Sequence, residues 1–143
     1  MLKQTNSDSI NRIIDANINR AKEGLRVCEE IVRFILNSRE LTLGLKTVRH
    51  KISLLAETLV SQDVLLKGRA SLKDVGRGIK AGELRREGLR DIFSANIQRA
   101  KESVRVLEEF SKLINIKASL GFKAIRYKIY EIEKKALERK VSD

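Results

Sequence analysis

The chain has 143 residues and a net charge of +11, and it contains no proline or tryptophan. A domain of this length buries roughly 70% of its unfolded surface. With 42% hydrophobic and 34% charged residues, the composition argues against both a disordered and a membrane-embedded chain. The single cysteine, Cys28, excludes an intramolecular disulfide, and no apolar run approaches the roughly 18 residues of a membrane span. We therefore expect one domain over residues 1–143, in a cytoplasmic protein without a membrane partner.

The basic excess predicts an anionic partner, such as a nucleic acid, a membrane surface or a phosphorylated small molecule. Acidic residues alternate with basic ones between Lys22 and Arg33, which is typical of paired helix surfaces rather than of a continuous basic stripe. Aromatic residues make up only 4% of the chain, and the sequence has no recognisable nucleic-acid-binding motif. The pattern therefore disfavours nucleic acid as the partner.

The sequence contains an internal repeat. Ala16–Glu23 reads ANINRAKE, and Ala95–Glu102 reads ANIQRAKE, 79 residues later. A second match pairs Arg49 with Arg126, at an offset of 77 residues. Such dense identity predicts a duplication, in which the second copy has a connection two residues shorter.

In chain order, each copy is predicted to be a long helix, a short connection and a second helix, because apolar residues recur in steps of three and four. In the first helix this pattern predicts a buried seam of Ile14, Ile18, Ala21, Leu25, Cys28, Val32 and Ile35. The helices are expected from near Ser7 or Ser9 to about Asn37, Glu40 to Val60, Glu83 to Asn115, and Lys117 to Lys140. The repeat units then cover residues 8–60 and 83–140. The connecting basic, glycine-containing loop at 61–82 is expected to hold one short turn of helix at most. Two such hairpins predict an all-α four-helix bundle, and the wide apolar stripes favour a homodimer.

Each copy also places polar residues on its apolar helix face. On a helical wheel Asn17 lies in the middle of this face, Arg20 lies on its shoulder, and Gly24 leaves a gap beside them. The repeat places Asn96 and Arg99 in the same way. Burying an amide and a guanidinium is costly unless both are hydrogen-bonded. The four side chains are therefore predicted either to form a sequestered polar pocket or to make a network that fixes helix register.

Other polar residues lie outside this face. Arg49 and Arg126 flank the seams of their helices, where either a phosphate contact or an ion pair with a first-helix carboxylate is open. Arg26 and Arg105 fall on the outer helix face, which favours solvent. His50 also falls away from the seam, so its position favours the surface over catalysis.

One known family resembles this chain from about Ile10 to Lys134. The matching segments are Asp15–Arg26, which reads DANINRAKEGLR, Arg33-Phe34, Leu45-Lys46, Arg49-His50, Arg69, Asp74-Val75-Gly76, and Ala95-Asn96 through Glu108-Glu109. The chain resembles the small hydroxymethylpyrimidine-monophosphate kinases of thiamine biosynthesis, which occur alone or fused ahead of thiamine-phosphate synthase. The resemblance implies that ATP, with Mg²⁺, phosphorylates 4-amino-5-hydroxymethyl-2-methylpyrimidine phosphate to the diphosphate. The sequence lacks the repeated strand–helix pattern of a synthase barrel.

The resemblance and the chemistry of phosphoryl transfer together imply roles for individual residues. The expected catalytic residues are Arg20, Arg99 and Asp74. The expected substrate- or nucleotide-binding residues are Asn17, Asn96, Arg49, His50, Arg69, Arg26 and Arg105. The expected magnesium ligands are Glu23 and Glu102, with Asp74 as a further candidate. In members of this family an acidic residue often follows the arginine that corresponds to Arg69, whereas this chain has Ala70 there. If that carboxylate has a role in the family, another one must replace it in this chain.

Two functions of other classes remain open from the sequence. One is a non-catalytic helical domain that binds a phosphorylated ligand. The other is a basic module that binds nucleic acid or protein. Incubation with ATP, Mg²⁺ and the pyrimidine monophosphate separates them from the kinase, because only the kinase forms the diphosphate.

Overall fold

The structure, a computed structural model, describes residues 7–78 and 85–139. Within these ranges it is all-α, without strands, as the sequence predicts. The helices are α1 (Ser7–Phe34), α2 (Arg39–Glu57), α3 (Gln62–Gly68), α4 (Leu89–Ser111) and α5 (Ile116–Glu138), with a 3₁₀ turn at Ser71–Lys73.

The four long helices pack as two hairpins. In the first hairpin α1 contacts α2, in the second α4 contacts α5, and the hairpins meet where α1 packs on α4 and α2 packs on α5. The predicted seam of α1 is confirmed from Ile14 to Val32, where each seam residue is buried. Ile35 was also expected in this seam, but it is 49% exposed because α1 has ended before it.

The ends of the first two helices differ from the predicted ones. The prediction that α1 continues to Asn37 is wrong, since Asn37 has a φ of 50°. This left-handed conformation commonly ends helices. Ser38 then begins α2, because its hydroxyl accepts a hydrogen bond from the backbone N–H of Leu41 at 3.2 Å. At its other end α2 stops at Glu57, three residues before the predicted end.

The predicted difference in connection length is also wrong. The connections of the two hairpins, 35–38 and 112–115, have the same length. The two-residue difference between the repeats lies instead at the end of α4. This helix stops at Ser111, two residues before the position equivalent to Phe34, the last residue of α1. Asn115 then caps α5, because its side-chain oxygen accepts hydrogen bonds from the N–H groups of Lys117 and Ala118.

The segment between the hairpins has more structure than the single turn expected. Its first part forms α3, which is capped by Ser61, packs against α1 and buries Leu65. The third predicted helix corresponds to α4, and its expected start at Glu83 lies outside the described residues. Lys80 and Gly82 of the predicted loop, and Lys140, the predicted end of the fourth helix, also lie outside them. Residues 85–88 are not helical, so α4 begins at Leu89.

The two duplicated helices, α1 and α4, run antiparallel and very close together. Gly24 of α1 lies against Asn96 of α4, whereas Cys28, further along α1, donates to the carbonyl of Phe93, earlier on α4. A Cβ atom at Gly24 would lie 2.7 Å from the carbonyl oxygen of Asn96. The predicted gap beside Gly24 is therefore wrong, because the backbone of α4 fills it.

The outer face of α2 and α5 carries an exposed apolar groove of about 750 Å³. Leu43 and Leu54 on its wall are 61% and 49% exposed. The expected homodimer stays a prediction. In the described part of the chain no helix is both long and apolar enough to cross a lipid bilayer. The cytoplasmic location likewise stays a prediction.

Candidate functional site

An open groove of about 820 Å³ lies between α1 and the segment that follows α3. We call it the loop groove. Among its lining residues, α1 contributes Arg12, Asn17, Arg20 and Glu23, and the following segment contributes Arg69 and Asp74. The structure thus brings five of the predicted site residues to one place, although they are up to 57 positions apart in the chain.

Asp15 holds the wall of the loop groove in place. Its buried carboxylate accepts hydrogen bonds from Arg69, at 2.8 Å from Nε to Oδ2 and 2.7 Å from Nη2 to Oδ1. This hydrogen bonding, together with the charge of Asp15, raises the pKa of Arg69. The two-point contact fastens the segment after α3 to α1. Asp15 was in the resemblance block but had no predicted role, because its partner lies 54 residues away.

A second, smaller groove of about 380 Å³ lies between α1 and α4. We call it the interhelical groove, and its polar wall consists of Asn17, Arg20, Gln98, Arg99, Glu102 and Ser103. Asn17 and Arg20 also line the loop groove, so the two grooves meet at these two side chains. The two grooves therefore share part of their wall on α1.

The two asparagines do not form the network that would fix helix register. The Nδ2 of Asn17 donates to Ile13 O, and that of Asn96 donates to Ile92 O, each at 2.8 Å within its own helix. The buried Asn17 lines both grooves, whereas Asn96 lines neither and its carbonyl faces Gly24. The structure therefore brings Asn17 to the site and leaves Asn96 outside it.

The expectation that the two arginines are sequestered is wrong, because Arg20 and Arg99 are exposed. Both lie at the groove walls rather than in bulk solvent away from any cavity. Within the described residues neither arginine pairs with a carboxylate, and neither Glu23 nor Glu102 pairs with a cation. These four side chains have charge available for a ligand.

Arg49 forms the ion pair that the sequence left open as one alternative. Its Nε and Nη2 donate to the buried carboxylate of Glu29 at 2.9 and 3.2 Å. In the second repeat Arg126 donates to buried Glu108 at 3.2 and 3.3 Å. Since both copies contain the same contact, it pins α2 to α1 and α5 to α4. Arg49 lines neither of the two grooves.

The remaining predicted binding residues also lie outside the grooves. Half-exposed Arg26 pairs with Glu29 and Glu30, and Arg105 pairs with the equivalent carboxylates of α4. His50 is exposed on α2 and lines neither groove, as its position on the helical wheel indicated.

Asp74 belongs to the loop groove through a short turn. Its Oδ1 accepts a hydrogen bond from the backbone N–H of Gly76 at 2.9 Å, which is a typical turn contact of aspartate. The described residues contain no cluster of three or more side chains suited to a metal ion. Mg²⁺ needs only one or two carboxylates when substrate phosphates supply further oxygens. Glu23 and Asp74 in the loop groove, and Glu102 in the interhelical groove, fit this smaller requirement.

Comparison with known proteins places the chain in a family. Residues 12–135 match the ThiD2 family. The chain belongs to the ThiD2 family. It is 38% identical over 141 residues to a thiamine-phosphate synthase of Synechocystis sp., covering 98% of this chain and 40% of that protein. It is 40% identical over 129 residues to a thiamine-phosphate synthase of Rhodopirellula baltica, covering 88% of this chain and 34% of that protein.

The ThiD2 match and the thiamine-phosphate synthase relatives confirm the link to thiamine biosynthesis that the resemblance implied, whereas the resemblance to a standalone kinase stays a prediction. The chain spans only 34–40% of the length of these relatives, so their names describe longer proteins. No solved structure matches the chain significantly.

Proposed function

We propose that this ThiD2 chain is a phosphotransferase of thiamine biosynthesis. It transfers the γ-phosphoryl group of ATP to 4-amino-5-hydroxymethyl-2-methylpyrimidine phosphate. The proposal is carried by Arg20 and Arg99, which line one groove without a carboxylate partner in the described chain. Planar guanidinium groups bind phosphate oxygens through paired hydrogen bonds. The family and the names of its relatives support the pathway.

The proposed reaction requires little covalent chemistry from the protein. An oxygen of the substrate's phosphate attacks the γ-phosphorus of ATP and forms the new P–O bond. The bond from the γ-phosphorus to the bridging oxygen breaks, and ADP leaves with its electron pair. Because the attacking oxygen is already anionic, no strong general base is needed. Positioning and cationic stabilisation therefore supply most of the rate enhancement.

The groove side chains divide this work. Arg20 and Arg99 hold phosphate oxygens and stabilise the charge of the transferred group. The amide oxygen of Asn17, which accepts no hydrogen bond from the described residues, is available to an amino group of the pyrimidine. Glu23 and Asp74 are the proposed holders of Mg²⁺, which when bound neutralises charge on the nucleotide phosphates.

Direct product analysis tests this proposal. Purified protein is incubated with ATP, Mg²⁺ and the pyrimidine monophosphate, and the diphosphate and ADP are measured by mass spectrometry. We expect the two products in equal amounts, and a lower rate with the free hydroxymethylpyrimidine. Arg20→Gln and Arg99→Gln should each lower kcat/KM by about 10²–10³-fold. Arg39→Gln, an exposed arginine on α2 away from both grooves, is the matched control with unchanged activity.

Three other outcomes would refute either the kinase activity or its location in the grooves. Binding of the pyrimidine monophosphate without any product identifies a non-catalytic binding domain. Salt-dependent retention of nucleic acid without turnover identifies a nucleic-acid-binding module. Near-normal turnover in folded Arg20→Gln and Arg99→Gln would show that the grooves are not the active site.

A further inference from the structure

The two grooves are built from equivalent faces of the duplicated helices. The loop groove is lined on α1 by Ala16, Asn19, Arg20 and Glu23. The residues 79 positions later, which line the interhelical groove on α4, are Ala95, Gln98, Arg99 and Glu102. The same polar face, with one arginine and one glutamate, therefore occurs twice. We call these two equivalent faces, with the grooves they line, the two half-sites.

The contact between α1 and α4 departs from the repeat symmetry. At Gly24 the helices approach so closely that a Cβ atom would lie 2.7 Å from the backbone of α4. The equivalent residue in α4 is Ser103, which lines the interhelical groove together with Asn17. At Gly24 the backbones of α1 and α4 are in contact and leave no space between the helices. At Ser103 the helices leave the interhelical groove, which Arg20 and Arg99 also line.

The two half-sites also differ in what surrounds them. Arg12 lines the loop groove, whereas its equivalent in the second repeat, Asp91, accepts a hydrogen bond from the N–H of Glu87 at 3.1 Å. Arg69 and Asp74 extend the loop groove from the segment after α3. As a result, the loop groove is about 820 Å³, against about 380 Å³ for the interhelical groove. Both volumes suit small-molecule ligands.

We infer that the loop groove binds the nucleoside triphosphate, that the interhelical groove binds the phosphorylated pyrimidine, and that Arg20 in their shared wall contacts phosphates of both. The inference rests on the proposed function and deepens it. The larger groove has the additional cation, Arg12, and two carboxylates, Glu23 and Asp74, which together suit a triphosphate carrying Mg²⁺. The smaller groove has Arg99 for one phosphate and the Asn17 amide for a heterocycle.

The meeting of the grooves at Asn17 and Arg20 provides the contact that phosphoryl transfer needs. The donor and acceptor atoms must come within about 3–3.5 Å for reaction. Two phosphates that accept hydrogen bonds from neighbouring N–H groups of the same guanidinium can lie next to each other and meet this requirement. The apolar groove between α2 and α5 lacks this arrangement, since leucine and isoleucine form much of its wall.

Equilibrium binding to variants of each groove tests the assignment. The probes are the β,γ-imido analogue of ATP with Mg²⁺, and the pyrimidine monophosphate, each titrated alone by calorimetry. Arg12→Gln changes an exposed side chain of the loop groove only, and should raise Kd for the nucleotide analogue by about tenfold. Its Kd for the pyrimidine monophosphate should stay within about twofold of wild type.

The opposite pattern is expected from the interhelical groove. Val106→Phe fills part of this groove and should raise Kd for the pyrimidine monophosphate by about tenfold or more, with nucleotide binding unchanged. Gln98→Ala, at an exposed position of the same groove, is the second variant should Val106→Phe fail to fold. Arg39→Gln is the control for both ligands.

The outcomes separate this assignment from the proposed kinase. The assignment alone is overturned if wild type forms the diphosphate but the variants behave differently from expectation. This is the case if Arg12→Gln weakens binding of the pyrimidine monophosphate and Val106→Phe that of the nucleotide, or if each variant weakens both equally. The expected binding pattern without diphosphate formation overturns the kinase alone. Failure of the wild-type chain to bind either ligand overturns both.

Discussion

Replacing Gly24 by alanine tests the close approach of α1 and α4. The new Cβ atom would lie 2.7 Å from the carbonyl oxygen of Asn96, whereas ordinary contacts begin at 3.4 Å. Because that oxygen belongs to the backbone of a packed helix, no side-chain rotation can relieve the contact. Overpacking of this kind costs about 1–3 kcal/mol, and the better helix propensity of alanine offsets about 1 kcal/mol. We expect a net loss of about 1 kcal/mol, with a fall in Tm of about 2–4 °C.

Urea unfolding followed by circular dichroism measures this loss. The matched control is Gly121→Ala on α5, where the new Cβ atom would lie 2.8 Å from Cδ1 of Leu55. That atom is at the end of a flexible side chain and can move, so this variant should be as stable as wild type or slightly more stable. If Gly24→Ala is at least as stable as Gly121→Ala, the reasoning about the helix contact is refuted.

Three further predictions concern the buried polar groups. Glu108→Gln should destabilise the fold by about 1–3 kcal/mol in urea unfolding, because the little-exposed Arg126 loses its charged partner; equal loss in the exposed control Glu109→Gln would contradict this. Burial, and the charge of Glu133, raise the pKa of the Cys28 thiol to about 12. The folded chain then keeps this proton where the unfolded thiol, with a pKa of about 8.5, loses it, so stability should fall as pH rises above about 8.5. Cys28→Ala should reduce this fall between about pH 8.5 and 10, and an identical pH dependence would disprove the burial argument. Asp15→Asn weakens the hold on Arg69, so trypsin should cleave the segment after α3 faster than in wild type, and an unchanged cleavage rate would show that the pair does not fasten it.

Periodicity and repetition in the sequence determined the duplicated helical hairpins. The apolar steps from Ile14 to Val32 are buried as predicted, because helix periodicity is a local property. The helix ends were less predictable, since they depend on backbone geometry such as the positive φ of Asn37. The segment at 61–82 has no helical periodicity of apolar residues, so the sequence did not predict α3. In the structure α3 packs on α1 and buries Leu65, and this contact depends on the tertiary structure.

The sequence also provided most of the candidate site. The resemblance and the repeat named Asn17, Arg20, Glu23, Arg69 and Asp74, which the structure brings to the loop groove. They did not show that Asp15 holds Arg69, since the contact joins residues 54 positions apart. They also treated Asn17 and Asn96 as equivalents, although only Asn17 reaches a groove.

This asymmetry was decided by the tertiary structure. The two duplicated helices are similar in sequence and share their local preferences, so the sequence by itself determined their form and their polar face. Only antiparallel packing decided that the backbone of α4 closes the interface at Gly24 while a groove lies at Ser103. The physical reason is that packing depends on which atoms of distant segments meet, and a single missing Cβ atom lets two backbones touch.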